Sequence, residues 1–169
     1  VQQTLASDVK LVGTGLHSGR PARICASPAP VGHGIVFERM DVNRRNAKVP
    51  ARWDRVSDTV LNTRVSNEDG VEVSTIEHLM SAIAGCGIHN ALIKIDGPEV
   101  PIFDGSALRF AKAFLDAGVV PQDAPVDMIR ILRIFPTEPF CVSWRTAGHF
   151  VDSPMWMLCT RKGWLWAGR

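Results

Sequence analysis

Near residue 74 the spacing of apolar residues changes period, and that change restricts the fold more than any single residue type does. Before it, short β-like runs alternate with turn signals. Residues 9–12 precede Gly13-Thr14-Gly15 and Ser18-Gly19, and residues 22–25 precede a Pro-rich turn at Ser27-Pro28-Ala29-Pro30. Residues 34–37 and 71–73 read as further strands, the latter led in by a hairpin turn at Asn67-Glu68-Asp69-Gly70. After the change, Ile76, Leu79, Met80 and Ile83 fall at i, i+3, i+4 and i+7, the stripe of a helix that buries one face. Ser74-Thr75-Ile76-Glu77 matches a capping box with Ser74 as N-cap, and Gly85 or Gly87 can supply the left-handed stop.

Residues 91–95 then read as a strand, and Asp104-Gly105-Ser106 introduces a second helix. Its apolar positions are Ala107, Phe110, Ala111, Phe114 and Leu115, with Gly118 as the stop. Strands followed by helices that need a common apolar surface predict an α+β domain over residues 1–132. Its expected form is an antiparallel or mixed sheet with two helices packed on one face. Beyond Ile134 both periods fail. Residues 135–169 hold four of the five tryptophans (Trp144, Trp156, Trp164 and Trp166), and Pro136, Pro139 and Pro154 interrupt them. The tail over 133–169 is expected to be irregular. A shifted reading frame or a mis-joined terminus accounts for it better than a natural Trp-rich binding tail.

A chain of 169 residues, 46% hydrophobic, suits one ordinary core. No run approaches the ~20 apolar residues that a membrane-spanning helix needs. The N-terminal Val1-Gln2-Gln3-Thr4-Leu5 lacks the basic start and apolar stretch of a signal peptide, so a cytoplasmic protein is the default. Cys25, Cys86, Cys141 and Cys159 are widely spaced, without a C-x-x-C pair, and read as free thiols. The net charge of +2 lies in the tail, where five basic residues face two acids (Glu138 and Asp152). The near-neutral body has no basic aromatic stripe, which argues against a nucleic-acid partner.

The chemistry-bearing pair is Glu77-His78 at the start of the first helix. Adjacent helical residues project about 100° apart. A histidine on a metal can therefore stand beside a carboxylate that reaches metal-bound water as general base. Read alone, the pair is more simply a capping-box glutamate and an ordinary histidine. His33 and His89 read as solvated, and His149 belongs to the tail.

Four blocks extend the pattern: Gly13-Thr14-Gly15-Leu16-His17-Ser18-Gly19, Ser57-Asp58-Thr59-Val60-Leu61-Asn62-Thr63, Ser74-Thr75-Ile76-Glu77-His78-Leu79, and Pro98-Glu99-Val100-Pro101-Ile102-Phe103-Asp104-Gly105-Ser106-Ala107. In this order and spacing, over residues 3–132, the chain resembles the N-terminal domain of the UDP-3-O-acyl-N-acetylglucosamine deacetylase family. The resemblance implies zinc-dependent hydrolysis of the acetamide on a UDP-linked, 3-O-acylated glucosamine, a step of lipid A synthesis. It implies Zn2+ as cofactor, His78 as a zinc ligand and Glu77 as general base. It places Leu61 and Asn62 at the substrate pocket, with His17 as a further candidate contact. Asp104 matches an acidic position of the last block, with a helix cap or a buried structural carboxylate as the plainer reading.

The resemblance also implies donors that the sequence lacks. The family's other two zinc ligands form an H-x-x-x-D pair in a second similar domain, and none occurs here. His149-Phe150-Val151-Asp152 is one residue short of that spacing. The second-domain histidine that acts as general acid and the insert forming the acyl-chain passage also have no counterpart. Without the second domain, Ile83, Phe110 and Phe114 are expected on an exposed helix face. The chain alone is then expected to be inactive; the alternative is a non-catalytic UDP-sugar-binding or regulatory module.

Overall fold

The computed structural model describes residues 1–42 and 46–126 in full, together with the strands Trp156–Thr160 and Gly163–Ala167 as backbone. The strands are β1 (Gln3–Leu5), β2 (Val9–Thr14), β3 (Pro21–Pro28), β4 (Ile35–Arg39), β5 (Lys48–Pro50), β6 (Val56–Asp58), β7 (Arg64–Ser66) and β8 (Glu72–Val73). Helix α1 (Glu77–Gly85), strand β9 (Ala91–Asp96), helix α2 (Leu108–Ala117) and strand β10 (Val119–Pro121) follow. The main sheet has the order β2-β3-β9-β4-β5, with β9 antiparallel to β3 and parallel to β4. The mixed sheet and the two helices make the α+β fold that the change of period predicts.

Alternation decides which face of the sheet carries the helices. Ala22, Ile24 and Ala26 on β3 and Ala91, Ile93 and Ile95 on β9 are all buried, and the register sets Ile24 opposite Ile95 and Ala26 opposite Ile93. On the other face Arg23 opposes Asp96 in an exposed ion pair of 3.4 Å. Such a pair contributes little to stability. Leu79, Ala82 and Ile83 of α1 and Phe110, Ala111 and Phe114 of α2 join the inward strand residues in one core. The exposed helix face expected at Ile83, Phe110 and Phe114 is therefore corrected, since all three are buried. The helices pack on each other and on the sheet, and the large apolar side chains that α2 leaves in solvent are Leu108 and Leu115.

A smaller antiparallel sheet, β6-β7-β8, stands beside the main one. The Asn67-Gly70 turn joins β7 to β8 as expected, with Asn67 Oδ1 accepting from the amides of Asp69 (3.1 Å) and Val71 (3.0 Å). Gly70 there has φ +70°, a conformation that glycine adopts without steric cost. Buried Arg39 ties the sheets together. It clasps Asp41 through Nε (2.7 Å) and Nη2 (2.8 Å) and donates from Nη1 to the Glu72 carbonyl (2.6 Å). The same guanidinium holds the Asp41 carboxyl below the usual carboxylate range. Asn90 does similar work between distant segments, accepting from Gly34 N and donating to the side chains of Gln2 and Gln122.

Several local expectations change. β1, β5, β6, β7 and β10 are strands of three residues each, too short for an alternation to register in the sequence. β3 runs through Ser27 to Pro28, into the first half of the expected Pro-rich turn, because Pro28 sits at the end of the register, opposite Ala91. Helix α1 has no side-chain cap, since Ser74 is engaged elsewhere: its amide and hydroxyl donate to the Pro98 carbonyl and its carbonyl accepts from Val100 N. His33 and His89 are half-buried rather than solvated, and His89 Nδ1 accepts from Gln3 N at 3.1 Å. In the tail, Trp156–Thr160 and Gly163–Ala167 pair antiparallel, a regular element favoured by their Trp and Leu content in a segment expected to be irregular. His149 and Asp152 lie outside the described residues.

Burial separates two substitutions on α2. Phe110→Ala is expected to cost about 3–5 kcal/mol, whereas Leu115→Ala, at 65% exposure, should change stability by no more than about 0.5 kcal/mol. Urea unfolding of both variants measures the contrast.

Candidate active site

The start of α1 is held by the loop between β6 and β7. Thr63 N donates to Glu77 Oε2 at 3.0 Å, and the Thr63 carbonyl accepts from Ile76 N at 3.3 Å. This two-way bond fixes one carboxylate oxygen of Glu77. His78, the next residue, is half-buried, and its ring has no hydrogen-bond partner among the described residues. Through Thr63 the structure brings Leu61 and Asn62 to the same helix end. Leu61 is 79% exposed, and Asn62 Oδ1 is buried without a partner among the described residues.

His17 reaches the site by another route. Its backbone amide and that of Ser18 each donate to the Glu99 carboxylate at 2.8 Å, and the hydroxyl of Thr75 donates to Glu99 Oε1 at 3.1 Å. Glu99 is 3% exposed. It therefore links the Gly15–Gly19 turn to the residue two before Glu77, while the His17 side chain itself is exposed. Gly15 is required at this junction, because a Cβ there would collide with Glu99 Oε2. The sequence reading missed Glu99, although it stands inside the Pro98–Ala107 block and faces a glycine-rich turn. Charge alone did not distinguish it from Asp104.

Asp104 is exposed, so it is not a buried carboxylate. It accepts from the amide (3.0 Å) and hydroxyl (2.9 Å) of Ser106, whose Oγ in turn accepts from Leu108 N at 3.3 Å, which organises the turn into α2. These bonds from Ser106 hold the Asp104 carboxyl below its ordinary range. Beside it, Phe103 takes φ +52° and lays its ring against the floor of β2. A Cβ on Gly13 would stand 2.7 Å from Phe103 Cε1, so glycine is what lets the ring approach. The Arg109 guanidinium covers the ring at 4.4 Å from its centre, and Phe110 meets it at 5.0 Å.

Zinc needs about three protein ligands at a catalytic site. Among the described residues no group of three or more His, Cys, Asp or Glu side chains converges. His78 offers one imidazole and Glu77 a neighbouring carboxylate, so the described residues do not by themselves fit a zinc ion. A cleft of about 340 Å³ does exist, walled by His33, Lys48, Arg55, Asn67 and Glu68, but none of the site residues lines it.

Burial by itself would raise the Glu99 pKa, but the His17 amide, the Ser18 hydroxyl and amide, and the Thr75 hydroxyl outweigh it and hold the carboxyl below its ordinary value of 4.5. A depressed folded-state pKa adds stability above the unfolded value, and that stability disappears as pH falls through the folded one. The stability advantage of the wild-type chain over Glu99→Gln should therefore be full at pH 7 and shrink progressively once pH drops below about 4.5. Urea unfolding of both proteins across an acid pH series measures it.

Comparison with known proteins identifies the family. The family model LpxC, described as UDP-3-O-acyl N-acetylglycosamine deacetylase, matches residues 2–147. The UDP-3-O-acyl-N-acetylglucosamine deacetylase of Myxococcus xanthus is 49% identical over 132 residues, covering 78% of this chain and 41% of the relative. Those of Actinobacillus succinogenes and Shewanella sp. (strain ANA-3) are each 45% identical over 132 residues, covering 43% of the relative. The chain thus spans about two fifths of the length of the curated relatives it matches. With a family match over most of its length, this chain belongs to the LpxC family of UDP-3-O-acyl-N-acetylglucosamine deacetylases.

Proposed function

We propose that this chain supplies one half of the active site of a zinc-dependent deacetylase, which hydrolyses the N-acetyl group of UDP-3-O-acyl-N-acetylglucosamine in cytoplasmic lipid A biosynthesis. The observation that carries the reading is the Thr63–Glu77 bond beside His78. It orients a carboxylate with one oxygen bonded, next to an imidazole that no described residue engages.

In this reading Glu77 takes a proton from the water that attacks the acetamide carbonyl. The C–N bond breaks, the nitrogen leaves as the glucosamine amine after gaining a proton, and acetate departs. His78 contributes one donor toward zinc, with the remaining ligands coming from outside the described residues. Leu61 offers an apolar contact at the rim, and Asn62 beside it is another contact to substrate. His17, on its exposed turn, is a further contact to substrate. A second domain, as the family resemblance implies, covers the helix side that includes Leu108 and Leu115. The absence of a converging ligand set among the described residues favours an inactive isolated chain. It also supports the second reading, a UDP-sugar-binding or regulatory module. Co-elution with a full-length family enzyme, or altered activity on mixing with it, marks that alternative.

Elemental analysis of the chelator-washed chain is expected to find well below one zinc per chain, and a tightly held full equivalent would overturn the single-ligand assignment. Joined to the remainder of the Myxococcus xanthus relative, residues 1–132 should release acetate from the substrate. In that chimera Glu77→Gln is expected to lower kcat by about 10²–10⁴-fold with KM little changed. A folded chimera that binds zinc but releases no acetate would remove the deacetylase reading.

A further inference from the structure

Thr75 is a β-branched residue at φ +56°, 1% exposed, two positions before Glu77. That backbone region is disfavoured for a branched side chain and costs on the order of 1–3 kcal/mol unless the surroundings enforce it. Here they do. Ser74 on one side is paired to the Pro98–Val100 segment through two backbone bonds, and Ile76 on the other donates to Thr63. At the centre the Thr75 hydroxyl donates to Glu99 Oε1.

We propose that Glu99 is a positioning residue for the Glu77–His78 pair: by holding Thr75 in its left-handed turn it sets where α1 begins, and so where both side chains point. The role rests on the deacetylase reading of the site but has its own observables. Glu99 reaches neither reacting side chain; its three hydrogen-bond donors are the His17 amide, the Ser18 amide and the Thr75 hydroxyl. It acts through the turn, and couples the His17 turn to the helix start. A capping residue at Ser74 would have anchored α1 locally, but α1 lacks any side-chain cap. The buried carboxylate supplies the anchor from across the fold instead.

Glu99→Gln keeps the shape but removes the charge and replaces one accepting oxygen by an NH2, set against either the Ser18 N–H or the His17 N–H and the Thr75 hydroxyl. NMR of the folded variant should show exchange of the His17 and Ser18 amides faster by about tenfold or more, the size expected for losing hydrogen bonds to a charged group. The decisive readouts lie further away: the Thr63 amide resonance, which reports its bond to Glu77, and the His78 ring resonances should both shift. Changes confined to His17 and Ser18 would overturn the proposal and leave Glu99 as a strut of the turn. If Glu99→Gln does not fold, Thr75→Val, nearly isosteric and without the hydroxyl donor, decides the same question through the same Thr63 and His78 signals. In the chimera, Glu99→Gln should lower kcat while KM stays nearly constant. If the unmodified chimera is inactive, the deacetylase reading fails, and the NMR shifts still decide whether Glu99 positions the pair.

Discussion

A carboxylate removed from water must find donors, and the Glu99 carboxylate finds them in two separate stretches of chain. Two backbone amides come from the turn after β2, and a hydroxyl comes from the residue that precedes α1 by two positions. Glu99 itself follows β9, so one buried charge gathers the glycine-rich turn, the helix start and the end of the central strand. The surrounding details are consistent with that demand. Gly15 leaves room for the carboxylate, Ser74 pairs with the segment carrying it, and Thr75 accepts an uncommon backbone conformation beside it.

The apolar core explains why this junction is stable. Phe37, Leu79, Ile93, Ile95, Phe110 and Phe114 are all essentially inaccessible to solvent, and they unite the sheet and both helices. With α1 and α2 packed on each other, the large apolar residues of the two helices serve the domain's own interior. Leu108 and Leu115 remain outside, which leaves only a narrow apolar strip on α2. The smaller sheet is attached through Arg39, whose guanidinium is satisfied by Asp41 and the Glu72 carbonyl rather than left as a buried charge.

The proposed site is asymmetric. Glu77 is oriented by Thr63, while His78 stands without a partner and without neighbouring donors that could complete a metal shell among the described residues. The chain belongs to the deacetylase family and spans about two fifths of the length of its curated relatives. No helix among the described residues is long and apolar enough to cross a membrane.

Much of this protein was legible in local sequence. The 3.6-residue stripe located α1 and α2, alternation located β2, β3, β4 and β9, and Asn67 to Gly70 announced the hairpin turn into β8, because each signal is carried by neighbours in the chain. The ordered blocks around His17, Leu61, Glu77 and Asp104 identified the family. What only the tertiary structure decided depends on residues far apart in sequence. Strands of three residues form because a partner edge is present, as β10 does beside β1. Ser74 does not cap α1 because Pro98 and Val100 take its bonds. Glu99 and Asp104 are both carboxylates of one block, yet one is buried under three donors and the other is exposed in a turn. Sequence specifies the groups, but the desolvation that makes one carboxylate an anchor exists only once β2, β9 and the start of α1 have come together.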